Sequence, residues 1–173
     1  KKEVVDTQYV AAMNPTAGSF TICERVQRNF STFAIQIPGE SDLKLIYKSI
    51  LDGHLQSFSS EVQAMSESII DASLGLHQQV LQRFLPSAVK FVYNWNMREL
   101  SSIVQGLTLA KPDYYPSPQK IVRLWLHECN RVFQDRMINQ TEITRFEDML
   151  NEACKKNFAD LDQEELNAQP LIF

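Results

Sequence analysis

Apolar side chains recur at three- and four-residue spacing through most of the sequence after Gly39, and no other feature restricts the fold as strongly. This spacing gathers them on one face of a helix, where they can form a core. Ser41 is predicted to cap the first helix, which ends at Gly53. The side chains expected on its buried face are Leu43, Ile46, Tyr47, Ile50 and Leu51.

Later helices carry recognisable start and stop signals. The next pattern runs from Val62 to a stop before Pro86, with a break at Gly75. Asn96 is a predicted N-cap, and Glu99 three residues later completes a capping box. The remaining starts are Ser117 followed by Pro118, and then either Asn139 or Thr141. We therefore predict a mainly helical unit over residues 41–158.

The first 40 residues follow a different pattern. Residues 8–13 and 31–39 are rich in apolar and aromatic side chains and are bounded by turn residues, which predicts two short strands. The aromatic residues 91–95 are also strand-like. Asn14 falls where the first predicted strand ends, a position from which a side chain can reach a ligand. The alternative interpretation is that Asn14 only caps a turn.

Three arginines are candidates for contact with an anion. Arg98 lies in the first turn of the helix after Asn96, where negative rather than positive groups are normally favoured, so an anionic partner is expected. That partner is either a ligand or a nearby Glu or Asp. Arg25 and Arg28 are three residues apart in the segment after the first predicted strand.

Composition excludes several classes of protein. The 173 residues carry a net charge of −4 with scattered Lys and Arg, which argues against a nucleic-acid surface. No apolar run approaches the ~18 residues of a membrane span, so we expect no membrane partner and a cytoplasmic location. Cys23, Cys129 and Cys154 are widely separated and are expected to be reduced packing thiols.

Metal and phosphate-binding motifs are missing from the sequence. His127 and Cys129 are two residues apart on a predicted helix and so point to different faces, which predicts no metal site. None of the five glycines is followed by Lys, so there is no G-x-x-x-x-G-K-[ST] phosphate loop, and no acidic pair follows an apolar strand. We expect the chain alone neither to hydrolyse ATP nor to hold a nucleotide tightly.

Several motifs together resemble one family. The stretches YVAAMNPTAGSFTI, RVQRNF, YNWNMRELSSIVQGL and IVRLWLHECNRVFQDRMI are similar to the third AAA+ module of dynein heavy chains, most like the axonemal forms. The resemblance covers residues 8–150, and NAQPLIF resembles the approach to the fourth module. NMRE stands where the family more often has NLRD, and the arginine is retained.

The resemblance implies a division of the chain and a role for each candidate residue. Residues 1–40 would end the large α/β subdomain, 41–158 would form the small helical lid, and 159–173 would be the linker toward the next AAA+ module. The acidic composition of Asp160 to Glu165 separately predicts a solvated segment. Asn14 would be the sensor-1 residue, Arg98 the sensor-2 residue, and Arg28, with Arg25 as the alternative, the arginine finger. Such groups suit phosphoryl transfer, which depends on positioning and charge neutralisation.

The implied function is that of a piece of a microtubule motor. The complete module would bind ATP or ADP with Mg²⁺, contact adjacent AAA+ modules and act on microtubules in the axoneme of a cilium or flagellum. Because the chain starts without Met and ends on an apolar string, we expect it to be cut from a longer polypeptide. The alternatives are a non-catalytic helical interaction module and the lid of another AAA+ ATPase.

Overall fold

The chain forms two compact units, Lys1–Ile37 and Pro38–Phe173. The computed structural model describes residues 3–13, 23–166 and 168. In the described part of the first unit, regular secondary structure is confined to α1 (Glu24–Gln27).

The prediction of two N-terminal strands is wrong for the described residues, none of which lies in a strand. A strand requires backbone hydrogen bonds to a neighbouring strand. No such bond reaches residues 3–13 or 31–38 within the described part of the chain, and side chains such as Val10 and Ile35 are 91% and 94% exposed. The apolar pattern alone does not form a strand, because no partner strand for it lies within the described residues.

The regular secondary structure described in the second unit is helical, with irregular connections between the helices, which confirms the mainly helical fold. Its helices are α2 (Glu40–Leu55), α3 (Ser60–Ala64), α4 (Ser66–Arg83), α5 (Met97–Leu107), α6 (Pro118–Val132), α7 (Gln140–Asn157) and α8 (Gln163–Leu166). A single 3₁₀ turn, Gln134–Arg136, connects α6 to α7. Among the described ranges, none of these helices combines the length and apolar character that crossing a membrane requires.

Most local start signals are confirmed, and the deviations have simple causes. Helices α5, α6 and α7 follow Asn96, Ser117 and Asn139 as N-caps. Helix α2 starts before Ser41, because the Gly39 N–H donates to Asp42 Oδ2 at 3.2 Å and so fixes the first turn earlier.

The predicted helix ends at the two interior glycines are wrong. Helix α2 continues past Gly53 to Leu55, whose side chain is fully buried. Helix α4 likewise continues through Gly75, and the interruption lies instead at Met65, between α3 and α4. A glycine lowers helix stability by only ~1 kcal/mol, which the burial of neighbouring apolar side chains outweighs.

The core lies between layers of packed helices. Helix α5 packs along α6, and α4 packs against both α2 and α7. The aromatic segment 91–95, predicted as strand-like, is irregular. It buries Tyr93 and Trp95 in this core and leaves Phe91 exposed, and the Trp95 indole N–H donates to the Phe84 carbonyl at 2.9 Å. The Trp125 indole N–H is satisfied by Ser73 Oγ at 2.8 Å. These bonds remove the cost of burying polar ring atoms.

The acidic segment near the C-terminus is only partly solvated. Its carboxylate side chains are exposed, as predicted, but Leu166 on α8 is fully buried. Gln119 on α6 donates to the Asp162 carbonyl at 2.7 Å, and Arg123 donates to the carbonyls of Glu165 and Ala168. Residues 162–166 therefore pack on the helical unit instead of extending freely from it.

Candidate functional site

The start of α5 carries the candidate residue Arg98 on a completed helix cap. Asn96 Oδ1 accepts the Arg98 backbone N–H at 2.8 Å, and Glu99 Oε2 accepts the Asn96 N–H at 2.7 Å. Backbone donors that a helix start normally leaves unpaired are thus satisfied. The backbone that positions Arg98 is fixed by this cap.

Two other helices hold the same turn. His77 on α4 donates from Nε2 to the Asn96 carbonyl at 3.0 Å. Tyr47 on α2 donates its hydroxyl to the Met97 carbonyl at 3.2 Å and lies 2.9 Å from Ser101 Oγ. Burial lowers the pKa of His77, although the Asn96 carbonyl and the Glu99 charge act in the opposite direction. Neutral His77 therefore serves as a donor to the cap.

Glu99 is buried and paired away from the surface. Its Oε1 accepts from Arg136 Nη1 at 2.6 Å, and its side chain is 8% exposed. Arg136 also donates to the Val92 carbonyl at 2.7 Å and places its guanidinium 4.4 Å from the centre of the Trp95 ring. Both oxygens of Glu99 are occupied, one by the cap and one by Arg136.

The side chain of Arg98 is exposed, and among the described residues no carboxylate forms an ion pair with it. Within the described residues, Arg98 is therefore not paired with a nearby Glu or Asp. The two buried carboxylates on α5 and α6 have other partners: Glu99 pairs with Arg136, and Glu128 pairs with Arg131 at 2.5 Å. The Arg98 guanidinium extends into solvent from a rigid helix start.

The other arginine candidates lie in the first unit. Arg25 is on α1, and Arg28 follows as its C-cap. Both side chains are exposed, and the turn is closed by backbone bonds such as Arg28 N–H to Glu24 O at 3.1 Å. Their spacing of three places both guanidinium groups on one side of this turn. Asn14 lies outside the described residues.

Thiol and metal chemistry find little support in the described residues. Burial raises the pKa of Cys154 to about 12 and that of Cys129 well above its usual value, which keeps both thiols protonated and unreactive. Cys23 is exposed. Over residues 3–13, 23–166 and 168, His, Cys, Asp and Glu form no group of three or more that could hold a metal ion.

Sequence reasoning missed the residues that support Arg98 from a distance. Asn96 and Glu99 carry a local signal, the capping box. His77, Tyr47 and Arg136 lie 19, 50 and 37 residues from the atoms they contact, so no local spacing indicates them.

Comparison with known proteins agrees with this architecture. The family of AAA+ lid domains matches residues 69–168, and the family described as the P-loop containing dynein motor region matches residues 1–38. The lid match starts within α4 and extends past the end of α8, so it includes Arg98, His77 and Arg136, whereas Tyr47 on α2 lies outside it.

Similar proteins are found among the flagellar and ciliary dyneins. The chain is 47% identical over 173 residues to the dynein beta chain of the flagellar outer arm of Chlamydomonas reinhardtii, and 49% identical to the ciliary dynein beta chain of Tripneustes gratilla. It is 44% identical over 174 residues to dynein axonemal heavy chain 17 of Homo sapiens. Each match covers 99% of this chain and about 4% of the relative's length. The chain therefore belongs to the AAA+ lid domain family and to the motor region of the axonemal dynein heavy chains.

Proposed function

We propose that this chain is the sensor and lid part of the third AAA+ module of a dynein motor, and that Arg98 senses nucleotide from the lid. The observation that carries the proposal is the exposed, unpaired Arg98 guanidinium, among the described residues, on a helix start fixed by hydrogen bonds from α2 and α4. A cation on such a fixed backbone is not neutralised by a carboxylate among the described residues and remains available to phosphate charge.

The ligand is ATP or ADP with Mg²⁺ in the complete module. Arg98 would supply one charge-assisted contact to its phosphates, as the sensor-2 residue. Asn14 would be the sensor-1 residue, and Arg28, or alternatively Arg25, would reach the nucleotide of an adjacent module as an arginine finger. Lid movement on phosphate contact would then couple nucleotide state to neighbouring modules.

At the level of the whole motor, the partners are the adjacent modules of the same heavy chain and, through the full-length protein, microtubules of the axoneme. The names of the relatives, which specify flagellar outer arm and ciliary dyneins, support this assignment. They also favour dynein over the lid of another AAA+ ATPase.

An interaction module without a role in nucleotide sensing is the second candidate. It is favoured by the outer face of α2, where Leu45, Ile46 and Ile50 are 68%, 46% and 49% exposed. Ile46 and Ile50 were predicted to be core but are exposed, whereas Tyr47 and Leu51 are buried and Leu43 is partly buried against the core. Exposed apolar side chains on one helix face are typical of contact surfaces.

Arg98→Ala separates the two functions. In the complete motor we expect a weaker response to Mg·ADP by ~1 to 3 kcal/mol, because one charge-assisted contact is lost. Thermal unfolding of the 173-residue chain is expected to change little, since the side chain is exposed and has no partner among the described residues. An unchanged nucleotide response in the motor would reject the sensor role and favour the interaction module.

A further inference from the structure

The carboxylate of Glu99 is adjacent to Arg98 in sequence, yet the two side chains form no ion pair in the described structure. Glu99 is the following residue on the first turn of α5, and its side chain is 8% exposed. Its Oε2 accepts the Asn96 N–H at 2.7 Å and its Oε1 accepts from Arg136 at 2.6 Å. Each oxygen of Glu99 therefore already accepts a bond from within the lid, and its charge is paired with Arg136 and not with Arg98 among the described residues.

Arg136 is fixed opposite the Glu99 carboxylate by several contacts. It lies on the 3₁₀ turn after α6, donates to the Val92 carbonyl at 2.7 Å and stacks 4.4 Å from the Trp95 ring centre. Three separate contacts fix its planar guanidinium, which loses little freedom on binding because its geometry is already set. The positive charge opposite Glu99 is therefore part of the fold.

We infer that Arg136 and Glu99 are positioning residues that keep Arg98 available for nucleotide. A largely buried carboxylate without a partner strongly attracts a cation, and Arg98 is the adjacent residue in the chain. Without Arg136, Glu99 would draw Arg98 back onto the lid and away from the phosphates. This inference rests on the sensor role proposed for Arg98.

The chain contains a matched pair that serves as a control. Glu128 is also buried, with a side chain 9% exposed, and its Oε2 accepts from Arg131 Nε at 2.9 Å and Nη2 at 2.5 Å. This pair lies on α6, and the bond that Arg131 makes to α5 goes to the Ser102 carbonyl at 3.5 Å, beyond the cap residues Asn96 and Glu99. Arg131→Met leaves a buried carboxylate without its arginine, as Arg136→Met does, but it leaves Arg98 undisturbed.

The experiment measures the affinity of the complete dynein motor for Mg·ADP by fluorescence titration. The affinity compared among variants is that of the nucleotide site that changes in Arg98→Ala. Arg98→Ala is expected to weaken binding about 5- to 150-fold. Arg136→Met is expected to weaken it within the same range, and the double variant Arg98→Ala, Arg136→Met no further than Arg98→Ala alone. The Met side chain keeps apolar contact with Trp95.

A variant that also removes the negative charge of Glu99 provides the decisive comparison. Glu99→Gln combined with Arg136→Met retains an oxygen for the Asn96 N–H but has no carboxylate to capture Arg98, so binding is expected to return to within about threefold of the wild type. Arg136→Met lacks the donor to the Val92 carbonyl both alone and in combination with Glu99→Gln. A recovery of nucleotide affinity in the combination therefore cannot come from that bond. Arg131→Met is expected to leave the affinity unchanged.

The outcomes distinguish the inference from the proposed function. Unchanged affinity in Arg98→Ala would reject the sensor role itself. A weakened Arg98→Ala together with an unaffected Arg136→Met, or with no recovery on adding Glu99→Gln, would overturn the inference and leave the sensor role standing. If Arg136→Met does not fold, Arg136→Lys keeps the positive charge and is expected to retain wild-type affinity; a loss as large as that of Arg98→Ala would overturn the inference.

Discussion

Gly106→Ala is expected to destabilise the helical unit even though alanine is the better helix former. A Cβ atom at position 106 would lie 2.1 Å from Oε2, 2.2 Å from Cδ and 2.7 Å from Cγ of Glu128. Unstrained carbon contacts are ~3.5 to 4.0 Å, and the conflict includes Cγ, so the whole buried side chain must move. Such movement also breaks the hydrogen bonds from Arg131.

The magnitude follows from opposing contributions. Overpacking costs ~1 to 3 kcal/mol, and loss of the partly exposed pair with Arg131 adds ~0 to 1 kcal/mol. The gain in helix propensity is ~1 kcal/mol. We therefore expect Gly106→Ala to lower the free energy of unfolding by up to ~3 kcal/mol, as measured by urea denaturation of the 173-residue chain.

A second glycine provides the control. Gly75 is also inside a helix, but a Cβ atom there would meet nothing within 4 Å, so Gly75→Ala is expected to raise stability by ~0.5 to 1 kcal/mol. Adding Glu128→Ala to Gly106→Ala removes the clashing atoms and is expected to recover part of the loss. If Gly106→Ala stabilises the chain as much as Gly75→Ala does, the close approach of α5 and α6 at this point is refuted.

Two further predictions concern the support of Arg98. Asn96→Ala removes the acceptor of the Arg98 N–H and is expected to lower the free energy of unfolding by ~1 kcal/mol. Asn139→Ala, at a cap without a side-chain hydrogen bond, is expected to cost less. Equal losses in urea denaturation would contradict this prediction. The pKa of His77 is lowered from its ordinary value of 6.5, so the unfolded chain takes up the proton first. Stability is therefore expected to be complete above pH 6.5 and to decrease as the pH falls toward the lower folded pKa. His77→Gln, which keeps a donor for the Asn96 carbonyl, is expected to flatten that decrease in thermal unfolding; an unchanged pH profile would exclude His77 as its source.

The sequence predicts features that depend on neighbouring residues. The capping box of Asn96 and Glu99, and the pair Ser117 and Pro118, were predicted correctly because a cap is a contact across three residues or fewer. The helical periodicity succeeded for the same reason, although it did not distinguish the buried Tyr47 from the exposed Ile46 on the same helix. Which part of an apolar stripe is covered depends on helices that pack against it from elsewhere in the chain.

Features that depend on distant residues could not be predicted in this way. The apolar pattern of residues 8–13 predicts a strand, but a strand forms only against a second strand that the pattern does not identify. The contact between Glu99 and Arg136 spans 37 residues and involves a 3₁₀ turn that has no clear sequence signal. The position of Arg98 was predicted from its cap, whereas the pairing of its neighbour Glu99 with Arg136 depends on that distant contact.

The contact between Arg98 and nucleotide can be tested most directly by chemical labelling of arginines in the complete dynein motor, with and without Mg·ADP. Phenylglyoxal modification followed by mass spectrometry reports the accessibility of each guanidinium group, and Arg83, an exposed residue at the end of α4, serves as an internal reference. We expect Mg·ADP to slow modification of Arg98 severalfold while Arg83 reacts at an unchanged rate. Equal labelling rates of Arg98 with and without nucleotide would contradict its assignment as the sensor of the lid.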